Sequence, residues 1–493
     1  MFASLQVLRP RVLLVAGLIA VTSLSVRQAA SAQTTAVNQW TWMGGSNTRN
    51  ATGVYGTLGT PAAGNFPGNR WGAASWTDGS GHLWLFGGFN NSGDLNDLWE
   101  FNPSTNEWTW MAGSSVNGDI PGVYGTLGTP APGNFPGGRY LPATWTDSGG
   151  NLWLFGGEGY DAKGNCFFLN DLWEFNPSTN EWAWMGGSNT IGATGVYGTL
   201  GTPAAGNFPG GRVDAASWTD SSGNFWLFGG QGYDADGNYG FPNDLWEFNP
   251  STNEWAWMGG SSTLAYDEYG QPGVYGTLGE YAAGNVPGGR WGGSGWTDSS
   301  GHLWLFGGQG AYYEDSGFND LWEFNPSTNE WAWMGGSDTG QPGVYGTLGT
   351  PAAGNFPGSR SQAVSWTDSS GSFWLFGGSG VEASGTQWGY LNDLWEFNPS
   401  TNEWAWMGGS NTVPPCQDCG QPGVYGTLGT PAAGNVPGTR AGAVSWTDSN
   451  GNFWLFGGEG VDASGALGPL NDLWEYQPST ASLSATAVLR ARQ

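Results

Sequence analysis

The sequence has few charged residues and very few basic ones. Only 11% of its 493 residues are charged, and 13 Lys and Arg face 40 Asp and Glu, so the formal net charge is −27. This acidity opposes binding to nucleic-acid phosphates and to anionic lipid. Glycine, with 89 copies, is a poor helix former. We therefore expect no nucleic-acid partner and no helical fold.

Cysteine is also scarce, with three copies in the chain. Their distribution does not match the ligand spacing of a zinc site. Cys416 and Cys419 lie close enough in sequence to form a small local disulfide, which an exported protein would keep oxidised. Cys166 is then left over, either free or paired between molecules.

One short segment has the composition of a calcium loop. Asp234, Asp236 and Asn238 alternate as oxygen ligands around a glycine turn, as calcium loops do. The parallel segments that begin at Asp161 and Asp462 each lack one of these ligands, so a shared β-turn is the alternative. Apart from this calcium candidate, the sequence predicts no metal and no cofactor.

Long apolar runs are missing except near the N-terminus. Arg9 and Arg11 precede an apolar stretch over residues 12–24, and Ala30-Ser31-Ala32 follows as a small-residue cleavage site. This order is typical of a secretory signal peptide, here residues 1–32. The apolar run is too short to span a bilayer. We expect a secreted or periplasmic protein without membrane insertion after cleavage.

Aromatic residues, in contrast, are abundant. The chain has 33 Trp and 15% aromatics overall, which excludes a disordered protein. Many of these aromatics belong to a block that recurs six times, and such self-similarity indicates an array of structural units. Each block opens with an arginine: Arg70, Arg139, Arg212, Arg290, Arg360 and Arg440.

Each block contains four runs of strand length. In the third block, these are Ala215–Trp218, Phe225–Phe228, Asp244–Phe248 and Trp255–Met258, separated by Gly, Asn, Pro and Ser turn residues. Four short strands per repeat predict the blade of a β-propeller. The sixth block lacks its fourth run, and the matching Trp-Thr-Trp-Met lies at residues 40–43.

An open array would leave two unpaired edges, so the displaced run favours a closed ring. The sequence predicts an all-β, six-bladed β-propeller of four-stranded antiparallel blades over residues 38–478. An N-terminal strand, residues 39–43, completes the last blade. Residues 479–493 are predicted to be a flexible tail.

The repeated residues resemble the kelch-repeat family. The resemblance rests on the arginine that opens each block, the Gly-Gly doublet after the second run, and the Asn-Asp-Leu-Trp and Asn-Pro-Ser-Thr motifs. It extends to the propeller of galactose-oxidase-type enzymes, which hold copper with two His and two Tyr. Here His82 and His302 occupy the same repeat position in opposite blades, so they cannot share a metal.

Sixfold repetition separates structural from functional candidates. Residues present in every block serve packing and turns, whereas residues that differ between blocks are better candidates for function. The six arginines could bind a carboxylate or sulfate at the channel mouth. Alternatively, each ties its own blade together, which their sixfold identity favours because a small ligand seldom uses all blades equally.

Aromatic residues that break the repeat are the predicted ligand-binding residues. They follow the arginines or lie in the uneven loops after the second strand, and the loops of a scaffold commonly carry binding residues. The candidates are Trp71, Tyr140, Trp291, Trp388, Tyr160, Tyr233, Tyr312 and Tyr313.

These residues predict an extracellular protein or glycan as partner, bound through the face with the long loops, and no catalysis is assigned. The alternative is a carbohydrate-active hydrolase or lyase on the same face. Such an enzyme needs asymmetric acids near the axis. Asp214 is the one acid near the start of a first strand.

Overall fold

The computed structural model describes residues 37–116, 118–264, 270–310, 317–415 and 420–479. All described residues belong to one compact unit, Val37–Gln493. The predicted signal peptide therefore lies outside the described residues, as does nearly all of the predicted tail. The described part contains no helix long and apolar enough to cross a membrane.

The described residues form six four-stranded antiparallel sheets, each a blade. The first strands are Ala74–Thr77, Ala143–Thr146, Ala216–Thr219, Ser294–Thr297, Val364–Thr367 and Val444–Thr447. The second strands are Leu83–Phe86, Leu152–Phe155, Phe225–Phe228, Leu303–Phe306, Phe373–Phe376 and Phe453–Phe456. The third strands are Leu98–Asn102, Leu172–Asn176, Leu245–Asn249, Leu321–Asn325, Leu394–Asn398 and Leu473–Tyr476. The fourth strands are Glu107–Ala112, Glu181–Gly186, Glu254–Gly259, Glu330–Gly335, Glu403–Gly408 and, for the sixth blade, Trp40–Gly44.

The blades close into a ring. Each first strand contacts the first strands of both neighbouring blades, and the last contacts the first. The N-terminal strand pairs antiparallel with the third strand of the sixth blade, with Trp40 opposite Tyr476 and Trp42 opposite Trp474. The predicted six-bladed propeller with an N-terminal closing strand is therefore confirmed. The strand covers Trp40–Gly44, one residue later than predicted.

Tryptophans join each blade to the next. The indole N–H of each first-strand tryptophan donates to the main-chain carbonyl of a second-strand tryptophan in the following blade, at 2.9–3.3 Å. The bond from Trp446 to Trp84 completes the circle. Six apolar clusters lie between adjacent blades. Packing between sheets therefore accounts for most of the unusual tryptophan content.

The uneven loops contain small sheets that the sequence analysis did not predict. Four blades each have a three-stranded one; the strands are Arg139–Tyr140, Glu158–Tyr160 and Cys166–Phe168; Arg212–Val213, Gln231–Tyr233 and Tyr239–Gly240; Arg360–Ser361, Ser379–Val381 and Trp388–Tyr390; Arg440–Ala441, Glu459–Val461 and Leu467–Pro469. The first blade has the pair Phe89–Asn90 and Gly93–Asp94. Each of these sheets includes or adjoins the residue that follows the arginine of its block, so the sheets hold the loops after the second strands in place. We call the face of the propeller that carries these loops the long-loop face.

Candidate functional site

The six arginines are buried within their own blades, each at most 1% exposed. The Arg212 guanidinium forms two hydrogen bonds with Asp244, at 2.7 and 2.8 Å, and also donates to the carbonyls of Gly210 and Gly229. Tyr197 and Trp246 donate to the same carboxylate, each at 2.7 Å. The equivalent ion pairs are Arg70–Asp97, Arg139–Asp171, Arg290–Asp320, Arg360–Asp393 and Arg440–Asp472. Their donors are directed to groups of the same blade and away from solvent.

A closed ring of main-chain hydrogen bonds surrounds the axis on the long-loop face. Each member lies two residues after an arginine and has a positive φ of 51–66°. Each main-chain N–H donates to the carbonyl of the neighbouring member at 2.6–3.1 Å. The members of this axial ring are Gly72, Leu141, Asp214, Gly292, Gln362 and Gly442.

The axial ring is regular in its backbone but not in its side chains. Glycine tolerates a positive φ, whereas Leu141, Asp214 and Gln362 are held there against their preference. Gln362 Nε2 donates to Asp214 Oδ2 at 2.9 Å across the intervening Gly292. Burial raises the pKa of Asp214 to about 6, and the bond from Gln362 opposes that rise. The only ring member with an acidic side chain thus has an amide partner, and the other five ring members supply no second carboxylate.

The central channel contains a cavity of about 490 Å³. Besides the six first-strand tryptophans, hydroxyl residues and one glycine line it: Ser75, Thr77, Thr144, Thr146, Ser217, Thr219, Gly295, Thr297, Ser365, Thr367, Ser445 and Thr447. This lining has no acid, base or histidine. The paired carboxylates that glycoside hydrolysis requires are therefore not among the residues that line this cavity.

Three aromatic side chains from two blades meet on the long-loop face. The Trp71 ring lies 5.8 Å from Phe89 and 5.0 Å from Tyr140, and Phe89 lies 5.5 Å from Tyr140, between ring centroids. Two hydrogen bonds between the main chains of Trp71 and Phe89 hold the first pair in place. All three side chains are half-buried. They form a continuous aromatic surface that is partly open to solvent.

A second aromatic group adjoins the first through Glu158. The Phe168 ring lies 5.7 Å from Tyr239, which is 42% exposed. Glu158 lies opposite both Tyr140 and Phe168 in the small sheet of the second blade. Burial and, after it, the neighbouring Glu158 carboxylate raise the pKa of the Tyr140 hydroxyl above its usual value. We call the whole set the rim patch: Trp71, Phe89, Tyr140, Glu158, Phe167, Phe168, Tyr233 and Tyr239.

Acidic groups lie directly beside the rim patch. Burial raises the pKa of Asp94 to about 7. The hydrogen bond from the Cys166 thiol, 3.6 Å away, opposes this rise, whereas the charges of Glu158 and Asp119 increase it. Burial and the Asp94 charge raise the pKa of the Cys166 thiol to about 12, so the thiol stays protonated at neutral pH. The patch therefore combines aromatic rings with hydrogen-bond acceptors.

The predicted ligand residues do not form one group. Trp71, Tyr140 and Tyr233 belong to the rim patch, and Tyr160 lies beside it, opposite Cys166 in the small sheet of the second blade. Trp291 pairs with Gln309 through its main chain, and Trp388 donates its indole N–H to Ser379 Oγ at 2.9 Å. Four further candidates lie outside the described residues: Tyr312, Tyr313, Cys416 and Cys419.

The sequence analysis did not identify three residues of this region as candidates for the site. Phe89 follows a Gly-Gly doublet where the other blades have Glu, Gln or Ser, and this difference was an available signal. Glu158 occupies that same position in the second blade, and its importance comes from its two neighbours across the small sheet. Asp94 is 4% exposed, and no pattern in the surrounding sequence indicates that this aspartate is buried.

The predicted calcium ligands form a hydrogen-bonded turn. Asp234 Oδ1 accepts the main-chain N–H groups of Asp236 and Asn238, and Oδ2 accepts those of the Asn238 side chain and Leu264. These four donors occupy the lone pairs that a calcium ion would need. Asp161 accepts the same kind of bonds in the second blade. Calcium binding here stays a prediction, and the geometry is that of the β-turn alternative.

A model of the Kelch motif matches residues 80–111. N-acetylneuraminate epimerase of Escherichia coli O9:H4 (strain HS) is 31% identical over 136 residues, 26% of this chain and 37% of that protein. The Rho GTPase-activating protein gacHH of Dictyostelium discoideum is 32% identical over 114 residues, 23% of this chain and 6% of that protein. The structure titled "Structure of YjhT" has 16% identity and a TM-score of 0.47, covering 83% of this chain and 95% of the other. The chain thus spans well under half the length of the curated relatives it matches.

Proposed function

Since the chain is a kelch-repeat β-propeller, we propose that it is a carbohydrate-binding module that holds its ligand on the long-loop face. The observation that carries this proposal is the meeting of Trp71, Phe89 and Tyr140 from two blades, with ring centroids 5.0–5.8 Å apart. The scaffold aromatics recur in each blade, whereas these three residues do not. Packing needs common to all blades therefore do not explain them.

The chemistry of the rim patch suits a neutral sugar. An aromatic ring offers an apolar face on which the C–H face of a sugar ring can stack, and tyrosine adds a polar hydroxyl. Glu158 and the nearby Asp119 supply oxygens that accept hydrogen bonds from sugar hydroxyls. The same acids disfavour an anionic sugar, because carboxylates placed side by side repel each other.

A carbohydrate-active enzyme is the second candidate. Two asymmetric acids on this face, Asp94 and Asp214, have pKa values raised to about 7 and 6 by burial, in the range that suits general acid–base catalysis. One relative is an N-acetylneuraminate epimerase, a carbohydrate enzyme by name. Product analysis by NMR with each glycan that binds tests this candidate, and turnover that D94N or D214N abolishes would support it.

We further propose that residues 1–32 direct export and are removed. The support is the order of basic, apolar and small-residue segments before Gln33. N-terminal sequencing of the protein from the exported fraction tests this proposal. A mature chain that begins at Gln33 is the expected result, and retention of Met1 in the cell interior would overturn it.

A glycan array with the exported protein tests the binding function. We expect a small set of related neutral glycans to bind, and W71A to lose the signal for all of them. A capture experiment with secreted proteins runs in parallel. Suppose that no glycan binds and that the wild type, but not W71A, captures one specific protein. The ligand would then be a protein and not a carbohydrate.

A further inference from the structure

One repeat position on the face opposite the long loops brings two carboxylates together. The position lies directly before the second strand, and Asn151, Asn224, Asn452 or Ser372 occupies it in four blades. The Asn151 side-chain amide donates to Asp147 at 3.1 Å and to Glu174 at 2.7 Å. Asn224 and Asn452 bind the equivalent Asp and Glu. Each of these three blades thus directs an aspartate and a glutamate at one side chain.

In the first and fourth blades, a histidine occupies this position. His82 Nδ1 lies 2.5 Å from Glu100 Oε1 and 3.8 Å from Asp78 Oδ2. His302 Nδ1 lies 2.6 Å from Glu323 Oε1 and 3.8 Å from Asp298 Oδ2. The ligand atoms of each trio all lie within 4.8 Å of one another. These are the only two histidines in the chain, and both are placed between two carboxylates.

We propose that each trio, Asp78–His82–Glu100 and Asp298–His302–Glu323, is a binding site for a divalent first-row transition metal such as Zn²⁺. A side-chain amide nitrogen has no lone pair for a metal, whereas a neutral imidazole nitrogen does. One imidazole and two carboxylates supply three protein ligands, and water completes the coordination. Imidazole also favours Zn²⁺, Ni²⁺ or Cu²⁺ over Mg²⁺ and Ca²⁺.

The aspartate of each trio is already oriented for this role. Asp78 Oδ1 accepts the main-chain N–H groups of Ser80 and His82, which fixes the carboxylate. Oδ2 accepts one bond, from the Trp84 indole at 2.9 Å, and keeps a second lone pair. Such secondary hydrogen bonds orient metal ligands and strengthen binding. A metal would take the place of the proton between Nδ1 and the glutamate, with a small rotation of the glutamate side chain.

The fourth-blade trio has an additional oxygen. The Tyr281 hydroxyl lies 3.3 Å from His302 Nδ1, whereas the equivalent residue of the first blade is Pro61. The His302 and Glu323 side chains are also less exposed, at 26% and 11%, than those of His82 and Glu100, at 31% and 21%. We therefore expect the fourth-blade site to bind metal more tightly than the first-blade site.

Titration calorimetry of the full mature protein, free of any affinity tag, with Zn²⁺ tests the proposal. H82N and H302N are matched variants, because they install the residue that three other blades carry at this position. Wild type is expected to bind two Zn²⁺ per chain, each single variant one, and the double variant none at about 100 μM Zn²⁺. Thermal unfolding without metal should match wild type for all variants, which shows that they fold.

Two further arms sharpen the result. Y281F should weaken only the site that H302N removes, by about tenfold or more, and Ca²⁺ should not compete with Zn²⁺. If wild type and the double variant take up Zn²⁺ equally, or if Ca²⁺ displaces it at equal concentration, the histidines are not metal ligands. They would then serve, like Asn151, as hydrogen-bond donors, and the proposal would be overturned.

Discussion

Two residues adjacent in sequence, Arg70 and Trp71, illustrate two kinds of region in this molecule. Arg70 is 1% exposed and hydrogen-bonded to Asp97 of its own blade, and the same pair recurs in all six blades. Trp71 is half-buried and contacts Tyr140 of the next blade. Four of the other five blades have a residue other than tryptophan at its repeat position. Repetition therefore marks what each blade needs to fold, and departure from it marks what one part of the surface does.

The axial ring shows the same contrast within six residues. Its main-chain hydrogen bonds form a closed circle at 2.6–3.1 Å, so the backbone belongs to the scaffold. Three of its members are glycines, and the other three, Leu141, Asp214 and Gln362, have side chains of different chemistry. Positive φ at non-glycine residues costs free energy, and such strain commonly marks functional sites. Asp214 and Gln362 are therefore the axial residues to test if the ligand extends from the rim patch to the axis.

The largest expected effect is on the scaffold. R212A removes the partner of the buried Asp244 carboxylate and should lower the free energy of unfolding by about 3–5 kcal/mol. Urea denaturation measures this loss. R49A, at an exposed arginine that donates to the carbonyl of Leu467, should cost less than about 1 kcal/mol. A loss for R212A no larger than that for R49A would show that the buried arginines do not stabilise their blades.

The next effect separates two buried carboxylates by pH. Burial raises the pKa of Asp94 to about 7 in the folded protein, above its unfolded value of about 3.9. Its contribution to the free energy of unfolding is therefore fully present below about pH 4 and is lost as the pH rises through about 7. D94N should therefore stabilise the protein by about 1–3 kcal/mol at pH 8 and not at pH 4.

Asp161 is the control with the opposite sign. Burial opposes its ionisation, but hydrogen bonds from Asn165, Lys163 and Ile191 prevail and lower its pKa. Its stabilisation is present above its unfolded pKa of about 3.9 and is lost as the pH falls through the lower folded value. D161N should therefore destabilise the protein at pH 8. Equal signs for D94N and D161N would contradict the assignment of the two carboxylates.

The smallest effect is on the axial ring. Leu141 has a φ of 51° at a position where three blades have glycine. L141G should relieve strain worth about 1–2 kcal/mol but adds about 0.5–1 kcal/mol of backbone entropy cost. The free energy of unfolding should therefore rise by about 0.5–1 kcal/mol. G292A should do the reverse, because a Cβ at this φ of 66° would lie 3.1 Å from atoms of Ser361 and Gln362. Destabilisation by both variants would show that Leu141 contributes more by packing than it loses by strain.

The scaffold could be predicted because the sequence states it six times. Each Leu-Trp-Leu-Phe or Phe-Trp-Leu-Phe run became a second strand, and the displaced Trp40–Met43 run became the closing strand. The small sheets were missed because strands of two or three residues in glycine-rich loops have no periodicity. Trp71 and Tyr140 were selected individually, but their contact with Phe89 depends on how adjacent blades pack. No spacing within the sequence reports that packing.

Titration calorimetry of W71A and W291A with a glycan identified on the array tests whether the ligand binds at the rim patch. Both tryptophans follow the arginine of their blade, but only Trp71 lies in the rim patch. W71A should weaken binding by about tenfold or more, since loss of one aromatic contact corresponds to about 1.4 kcal/mol, and W291A should bind like wild type. Equal affinities for wild type and both variants, or a greater loss in W291A, would contradict the assignment of the ligand to the rim patch.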